Sequence, residues 1–407
     1  MNNAIANKIF PGCVALVSNK DGILLNEGFG YFTYGLPPPY NNGINPPTLP
    51  TTRFDMASLT KVTTTTTAVA QFYQRGELSL HQKVGDILGE KFNVHGKQDI
   101  SILNLLLHNS GFYADPDPFW NTPQFGCPQT APYYPLEDFE CSEKIYSSIL
   151  DEKLLSPVGR DYLYSDLNFL TLAHVVGNLA ERLQKVSVGE LREDCSGLVE
   201  GGPGIAQLCY FEAYVRKYVI EDRQCSSSGF GYLDKAQWAY CAPAENDTDF
   251  LHSTYQGQVS DGNAFASGGI AGHAGFFSTT EDVLRLVSPL LFPQASSEAY
   301  MNETTVALFT KIYNRTQSSR ALGWNTNDPN APDRGWNQAC GSLASETFMH
   351  LGYTGTMICA DPVRKVLVVL LTNHVYPVVQ NAAGIHQARQ DFATAVQKAY
   401  DNGNQIV

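Results

Sequence analysis

The chain has 407 residues, 43% of them apolar and 16% charged, enough for two or three folding units and too few charges for a long disordered region. Lysine plus arginine is 27 and aspartate plus glutamate is 40, a formal charge of −13 that repels phosphate backbones and anionic membranes and weighs against nucleic-acid binding. The longest clean apolar run, Val366 to Leu371, falls far short of the roughly 18 residues a spanning helix needs, so no membrane span is expected and a large soluble globular protein remains.

In chain order, Gly12 to Ser18 is β-branched and apolar, Asn19-Lys-Asp-Gly22 is a turn, and Ile23 to Tyr31 alternates loosely, which predicts a β-hairpin. Residues 35–52 are rich in Pro, Asn and Gly and read as loop. A helix starts near Ala57 and stops at Gly76. Within it, the threonine run Thr63 to Thr67 favours strand, but Val62, Ala68, Val69, Phe72 and Tyr73 keep helical spacing. A second helix covers Ile102 to Leu107, and residues 113–140, rich in Pro and aromatics, read as a long surface loop. Leu167 to Leu179 and Phe211 to Ile220 are helical, and Ser278-Thr-Thr-Glu281 is a capping box ahead of Val283 and Leu284. Thr356 to Cys359 and Val366 to Thr372 are strands joined by the turn Asp361-Pro-Val-Arg364, and a helix follows from about Ile385 to Tyr400. Strands at both ends with mostly helix between predict an α/β fold in which both chain ends form one antiparallel sheet flanked by helices, with a mostly helical region inserted. The expected division is 1–55 with 346–407 for the sheet region and 56–345 for the helical region, with a Cys-rich insertion at about 184–250.

Met1 to Phe10 lacks the apolar stretch of a secretory signal. Nine cysteines are nevertheless present, and Cys127 with Cys141, Cys195 with Cys209, and Cys225 with Cys241 are neighbours in sequence. Each pair would close a loop of about 15 residues, worth roughly 3 kcal/mol in the chain-entropy model. Sequons stand at Asn246, Asn302 and Asn314. Two readings are open: free thiols and chance sequons in a cytosolic protein, or a secreted or lumenal eukaryotic protein whose signal was trimmed. The second is preferred, with at least two disulfides among those six cysteines and Cys13 a buried thiol in the first strand. No Cys-x-x-Cys or His-Glu-x-x-His occurs, so neither a metal nor another cofactor is expected.

Three short motifs carry chemistry. Ser58-Leu-Thr-Lys61 puts a hydroxyl and an amine one helical turn apart, so Lys61 can activate Ser58, provided that burial lowers the lysine pKa. Tyr164-Ser-Asp166 offers a tyrosine able to shuttle a proton beside a lysine, and Asp166 suits a helix N-cap. His350-Leu-Gly352, followed by Tyr353-Thr-Gly-Thr356, marks a strand that can offer a backbone N–H to an oxyanion and an edge to a substrate. His273, in a glycine-rich loop, is a further site candidate, whereas His108 reads as structural. A Gly-x-Ser-x-Gly elbow is absent.

Together these motifs resemble the serine β-lactamase and penicillin-binding protein superfamily, and most nearly its class C β-lactamase-related hydrolases. Phe10-Pro-Gly12, Phe54 to Lys61, Ile102 to Gly111, Gly268 to Gly275 and Leu370-Leu-Thr-Asn373 resemble further blocks of that family. The resemblance implies a β-lactamase-like fold and an acyl-enzyme on Ser58, with Lys61 and Tyr164 as the general-base system. It implies an oxyanion hole from the backbone N–H groups of Ser58 and Tyr353, and substrate contacts from Asp166, His350, Gly352 and His273. It also implies a helix before the first strand; only Asn2 to Ile9 stands there, so an upstream signal and part of that helix are expected to have been removed. Two positions depart from the family pattern: Asp166 replaces its usual Asn, and His350 replaces the Lys of true β-lactamases. Both lower the positive potential of the pocket, which favours an ester or amide substrate without an obligatory carboxylate. The partner implied is a small-molecule or peptide substrate; a β-lactamase, a D,D-peptidase and a non-catalytic binding protein on the same fold are the alternatives.

Overall fold

The computed structural model describes residues 1–35, 45–127, 141–197, 199–231, 235–248, 253–296, 300–331 and 338–403. Parts of two expected loops, at 36–44 and 128–140, lie outside the described residues. The strands are β1 (Gly12–Asn19), β2 (Gly22–Gly30), β3 (Phe54–Asp55), β4 (Gly229–Phe230), β5 (Phe276–Ser278), β6 (Asn325–Thr326), β7 (Phe348–Leu351), β8 (Met357–Asp361) and β9 (Val366–Thr372). Six form one antiparallel sheet in the order β2-β1-β9-β8-β7-β6, and a small second sheet runs β3-β5-β4. The two chain ends meet in the middle of the large sheet, with Val14 opposite Leu371 and Leu16 opposite Val369.

β1, β8 and β9 read as unbroken apolar runs because both faces of the sheet are covered. Strand alternation sends Val14 and Leu16 into the core shared with the helical region. It sends Cys13, Ala15 and Val17 toward Ile385, Ala393 and Val396 of the C-terminal helix Ala382–Asp401. Each fully buried Val or Leu contributes roughly 1.5–3 kcal/mol. Among the described residues, no helix is long and apolar enough to cross a membrane.

The segment after β3 is helical but not one α-helix. Ala57–Leu59 is a 3₁₀ turn, Lys61–Thr65 is a π-turn, and Thr66–Gln74 is α-helical. The threonine run fits that wider winding. Thr63 and Thr64 donate to the carbonyls of Leu59 and Thr60, Thr67 donates to Val62 five residues back, and Thr65 reaches the carbonyl of Gly272. Buried threonines are thus tolerated because carbonyls freed by the irregular turn accept their hydroxyls.

Two local expectations are corrected. The helix Thr280–Leu291 is capped by Thr279, which accepts from the Asp282 N–H at 3.3 Å, not by Ser278. Ser278 is held in β5 opposite Phe54, so strand pairing displaces the predicted box by one residue. Likewise, Ser165 stands at the cap position of helix Asp166–Arg182, and Asp166 is its first helical residue.

Disulfides join Cys127 to Cys141 and Cys195 to Cys209, as their sequence neighbourhood suggests. Cys225 and Cys241 do not pair, and a third disulfide links Cys340 to Cys359 in β8. The sulfur of Cys225 lies 3.6 Å from the carbonyl of Asp282, while Cys241 bridges to Arg53 beside β3, so different elements hold the two thiols. Burial pushes both up to about 12, and Cys13 is a buried thiol as expected.

Candidate active site

Ser58 is presented by a constrained turn. Ala57, just before it, has φ +46°, a left-handed conformation that disfavours a residue with a Cβ. Buried Asp55 holds the turn: one carboxylate oxygen accepts the Ala57 N–H at 2.8 Å, and the other accepts the Ser260 N–H and hydroxyl at 2.9 and 3.0 Å. Burial raises the Asp55 pKa against the opposing effect of those bonds.

Lys61 lies beneath Ser58 and is fully buried. Its Nζ is 2.9 Å from Ser58 Oγ, 2.6 Å from Asp166 Oδ1 and 3.2 Å from the carbonyl of His273. Ser58 Oγ and the His273 carbonyl accept from the ammonium, and Asp166 is its ion-pair partner. Burial opposes that charge, but Asp166 and the Tyr164 hydroxyl outweigh it, and the Lys61 pKa stands above the ordinary lysine value. The condition that burial lowers it is therefore not met, because the fold sets a carboxylate against the amine.

Tyr164 closes the group. It shares the cavity wall with Ser58, and Lys61 Nζ stands 5.0 Å from its ring centre. Burial raises its pKa, with Lys61 pulling the other way. The His108 ring packs 4.6 Å from the Tyr164 ring, its Nδ1 accepts the Ser165 N–H at 3.1 Å, and its carbonyl accepts the Leu163 N–H at 2.9 Å. His108 thus anchors both flanks of Tyr164, which gives its structural reading a definite task.

The third motif forms the opposite wall. Thr354 and Thr356 donate to the carbonyls of Asp55 and Met56, tying the turn after β7 to the backbone just before Ser58. Gly352 permits that approach, since a Cβ there would sit 2.7 Å from the Met56 carbonyl. The backbone N–H groups of Ser58 and Tyr353 have no acceptor among the described residues. His350 Nδ1–H donates to the Leu351 carbonyl at 2.9 Å, leaving Nε2 without a partner. Burial, with Arg320 and Lys61 nearby, holds His350 neutral, well below the usual histidine pKa.

A cavity of about 550 Å³ opens over Ser58, lined also by Tyr164, His350, Gly352 and Tyr353, a size in the roughly 300–1,000 Å³ range of small-molecule sites. Lys61, Asp166 and His273 are not in its wall. Asp166 faces Lys61 instead, and the His273 ring is bonded through Nε2 to Asp261 at 2.9 Å while its carbonyl meets Lys61. Among the described residues, Asp166, Asp261 and His273 are the one group of three that brings metal-ligand atoms within 4.8 Å of one another, and the cation held at Asp166 is the Lys61 ammonium.

Two arginines in the wall were missed in the sequence reading, Arg320 and Arg389. They offset the lowered positive potential inferred from Asp166 and His350. Arg389, on the C-terminal helix, donates to the carbonyls of Gly352, Gly355 and Thr356 at 2.7, 3.2 and 3.0 Å, and burial pushes its pKa down to about 9. Neither belongs to a motif, but Arg320 is the only charged residue in the stretch 316–327, a signal that was available.

A family model described as Beta-lactamase matches residues 1–191 and 231–391. The chain is 28% identical over 392 residues to the N-acetylmuramyl-L-alanine amidase of Bacillus subtilis (strain 168), covering 89% of this chain and 77% of that protein. The class C beta lactamase from Rhodobacter sphaeroides aligns with a TM-score of 0.65 at 15% identity, over 98% of this chain and 97% of its own. EstCE1, a hydrolase with promiscuous acyltransferase activity, aligns with a TM-score of 0.64 at 17% identity, over 96% of this chain and 95% of its own. The two solved structures share the fold.

Proposed function

Because the chain belongs to the Beta-lactamase family, we propose that it is a serine hydrolase that cleaves an ester or amide, including a peptide, through an acyl-enzyme on Ser58. The observation that carries this reading is the buried Lys61 amine 2.9 Å from Ser58 Oγ at the floor of an open cavity. A binding protein on the same fold has no use for a buried lysine aimed at a serine, because burying an ionisable group is costly without a task.

Ser58 Oγ attacks the carbonyl of the substrate, and the N–H groups of Ser58 and Tyr353 receive the developing oxyanion. Lys61 is protonated at neutral pH, so it must give up a proton before it accepts one. Asp166, 2.6 Å away, takes it; the neutral amine then accepts the Ser58 proton. As the bond breaks, Tyr164 donates to the leaving group and is reprotonated from Lys61 and Asp166. Water then attacks the acyl-enzyme with the same groups in reverse. Here Asp166 acts on Lys61 rather than on the substrate, and His350 and Gly352 shape the substrate wall.

The amidase relative favours an amide as the second substrate class to be tested, with D,D-peptidase and β-lactamase activity beside it. Three disulfides favour an extracytoplasmic setting. Intact-mass analysis after a neutral alkylphosphonate ester should give one adduct, absent in Ser58→Ala. A panel of short-chain esters, D-Ala peptides and nitrocefin then sorts the substrate classes. An adduct that persists in Ser58→Ala, or none in the wild type, sinks the proposal.

A further inference from the structure

His108 is buried and sits at φ +55°, a left-handed conformation that is costly for a residue with a Cβ. Two of its polar atoms serve one tripeptide. The carbonyl accepts the Leu163 N–H at 2.9 Å and Nδ1 accepts the Ser165 N–H at 3.1 Å, one bond on each side of Tyr164. A backbone N–H only donates, so Nδ1 carries no proton and the ring is the neutral tautomer protonated at Nε2. Asn168 lies 3.2 Å from the same Nδ1, so the atom facing it is the amide nitrogen. The Asn168 oxygen then accepts the Ser110 hydroxyl at 2.5 Å, and Ser110 Oγ accepts the Phe112 N–H at 3.2 Å. Ser110, Asn168 and Ser165 are all buried, so one closed chain of bonds fixes the His108 ring. Burial, with Arg320, Lys61 and His350 nearby, holds its pKa well below the usual histidine value.

Packing on the Tyr164 ring, 4.6 Å away, needs none of these bonds. A phenyl ring would stack as well, but it would leave the buried Ser165 N–H and Asn168 amide without their acceptor. The left-handed backbone, the single tautomer and the two flanking bonds all converge on the segment that carries Tyr164. Tyr164 lines the cavity with Ser58 and lies against Lys61, and a displacement of about 1 Å in a reacting group can cost about 10²-fold in rate. We propose that His108 is a positioning residue for the reaction: its carbonyl and its Nδ1, held in one tautomer by Asn168 and Ser110, fix the backbone of Leu163 to Ser165 so that Tyr164 meets Ser58 and Lys61. The proposal rests on the serine-hydrolase reading, in which Tyr164 moves protons at Ser58. It gives control of the rate to a residue outside the cavity wall.

A double-mutant cycle on kcat for p-nitrophenyl butyrate separates positioning from packing, because residues that act through one another are not additive. His108→Phe should lower kcat by about 10²-fold in the wild-type background. In the Tyr164→Phe background the same change should cost at least about tenfold less, since the residue it positions is already disabled. His108→Asn should recover part of the loss, because asparagine tolerates a positive φ and its Oδ1 can take the place of Nδ1. Wild-type kcat in His108→Phe, a loss that does not shrink in the Tyr164→Phe background, or no recovery in His108→Asn overturns the proposal. The tautomer is tested in the wild type, even if His108→Phe fails to fold. Nitrogen-15 NMR of histidine-labelled protein should show His108 neutral with its proton on Nε2; a proton on Nδ1 overturns the proposal. A phosphonate adduct at Ser58 with equal losses in both backgrounds removes His108 from the mechanism and leaves the hydrolase reading standing. No adduct in the wild type fails that reading itself, and the positioning role falls with it.

Discussion

Lys61 Nζ and Asp166 Oδ1 stand 2.6 Å apart, with the lysine fully buried and the Asp166 side chain 17% exposed. An ion pair in that setting holds its proton firmly, since burial penalises separation of the charges and the partner carboxylate stabilises the ammonium. The nucleophile's base is therefore a pair, and its readiness depends on how easily Asp166 takes a proton from Lys61.

Lys61→Met and Tyr164→Phe should each lower kcat by roughly 10²-fold or more, the scale of lost general acid–base catalysis. Methionine is chosen because Lys61 is fully buried and alanine would leave a void. Steady-state rates on an activated ester check this, with thermal melts as a control. Wild-type kcat in either variant would remove that residue from the mechanism.

Asp166→Asn should shift the pH–rate profile to lower pH. Lys61 stands above its ordinary value, so the rate carried by its neutral amine should still be rising above pH 8, while Tyr164, also raised, keeps the proton it donates. Asparagine removes the charge that outweighs the burial of Lys61, so the lysine pKa falls and neutral amine appears earlier. A shift of about one pH unit or more is expected, about 1.4 kcal/mol of lost interaction. An unmoved profile would show that Asp166 does not govern the protonation of Lys61.

Arg389→Met should weaken both stability and activity. It removes the donor of the Gly355 carbonyl and the second donor of the Gly352 and Thr356 carbonyls, in the turn that positions Tyr353 beside Ser58. Losing hydrogen bonds from a charged donor costs about 2–4 kcal/mol here. Urea unfolding and kcat should fall together, and Arg389→Lys should recover part of each. Unchanged kcat despite lost stability would detach Arg389 from the oxyanion wall.

His174 provides a pH-dependent stability term away from the site. It is buried, its Nδ1 is 3.0 Å from Gln207 Oε1, and burial lowers its pKa to about 4. A depressed histidine is neutral in the folded protein and binds a proton on unfolding below about pH 6.5. Its contribution is complete above pH 6.5 and is lost as pH falls toward 4, about 3 kcal/mol in total. Unfolding of wild type and His174→Asn between pH 4 and 7.5 should show the wild type losing stability more steeply. Parallel curves would contradict the assignment.

Local patterns in the chain were enough for the hairpin at Gly12–Gly30, for the strands Met357–Asp361 and Val366–Thr372, and for the pairing of Ser58 with Lys61 three residues on. Each depends on turn chemistry, two-residue alternation or one helical turn, which neighbouring residues dictate by themselves. The meeting of both chain ends in one sheet followed from their shared apolar pattern. Tertiary structure alone decided the rest. Asp166 is 105 positions beyond Lys61 (166 − 61), and its contact with Nζ keeps the proton on a lysine whose burial alone would favour losing it. Arg320 and Arg389 enter the cavity wall from a loop and from the last helix, where no motif marks them. Cys340 pairs with Cys359 while Cys225 and Cys241 stay apart, because a disulfide needs its Cα atoms within about 7 Å, whatever their spacing in sequence. Charge pairing and cross-linking depend on distance in space, and only the packing of the helical region against the sheet sets those distances.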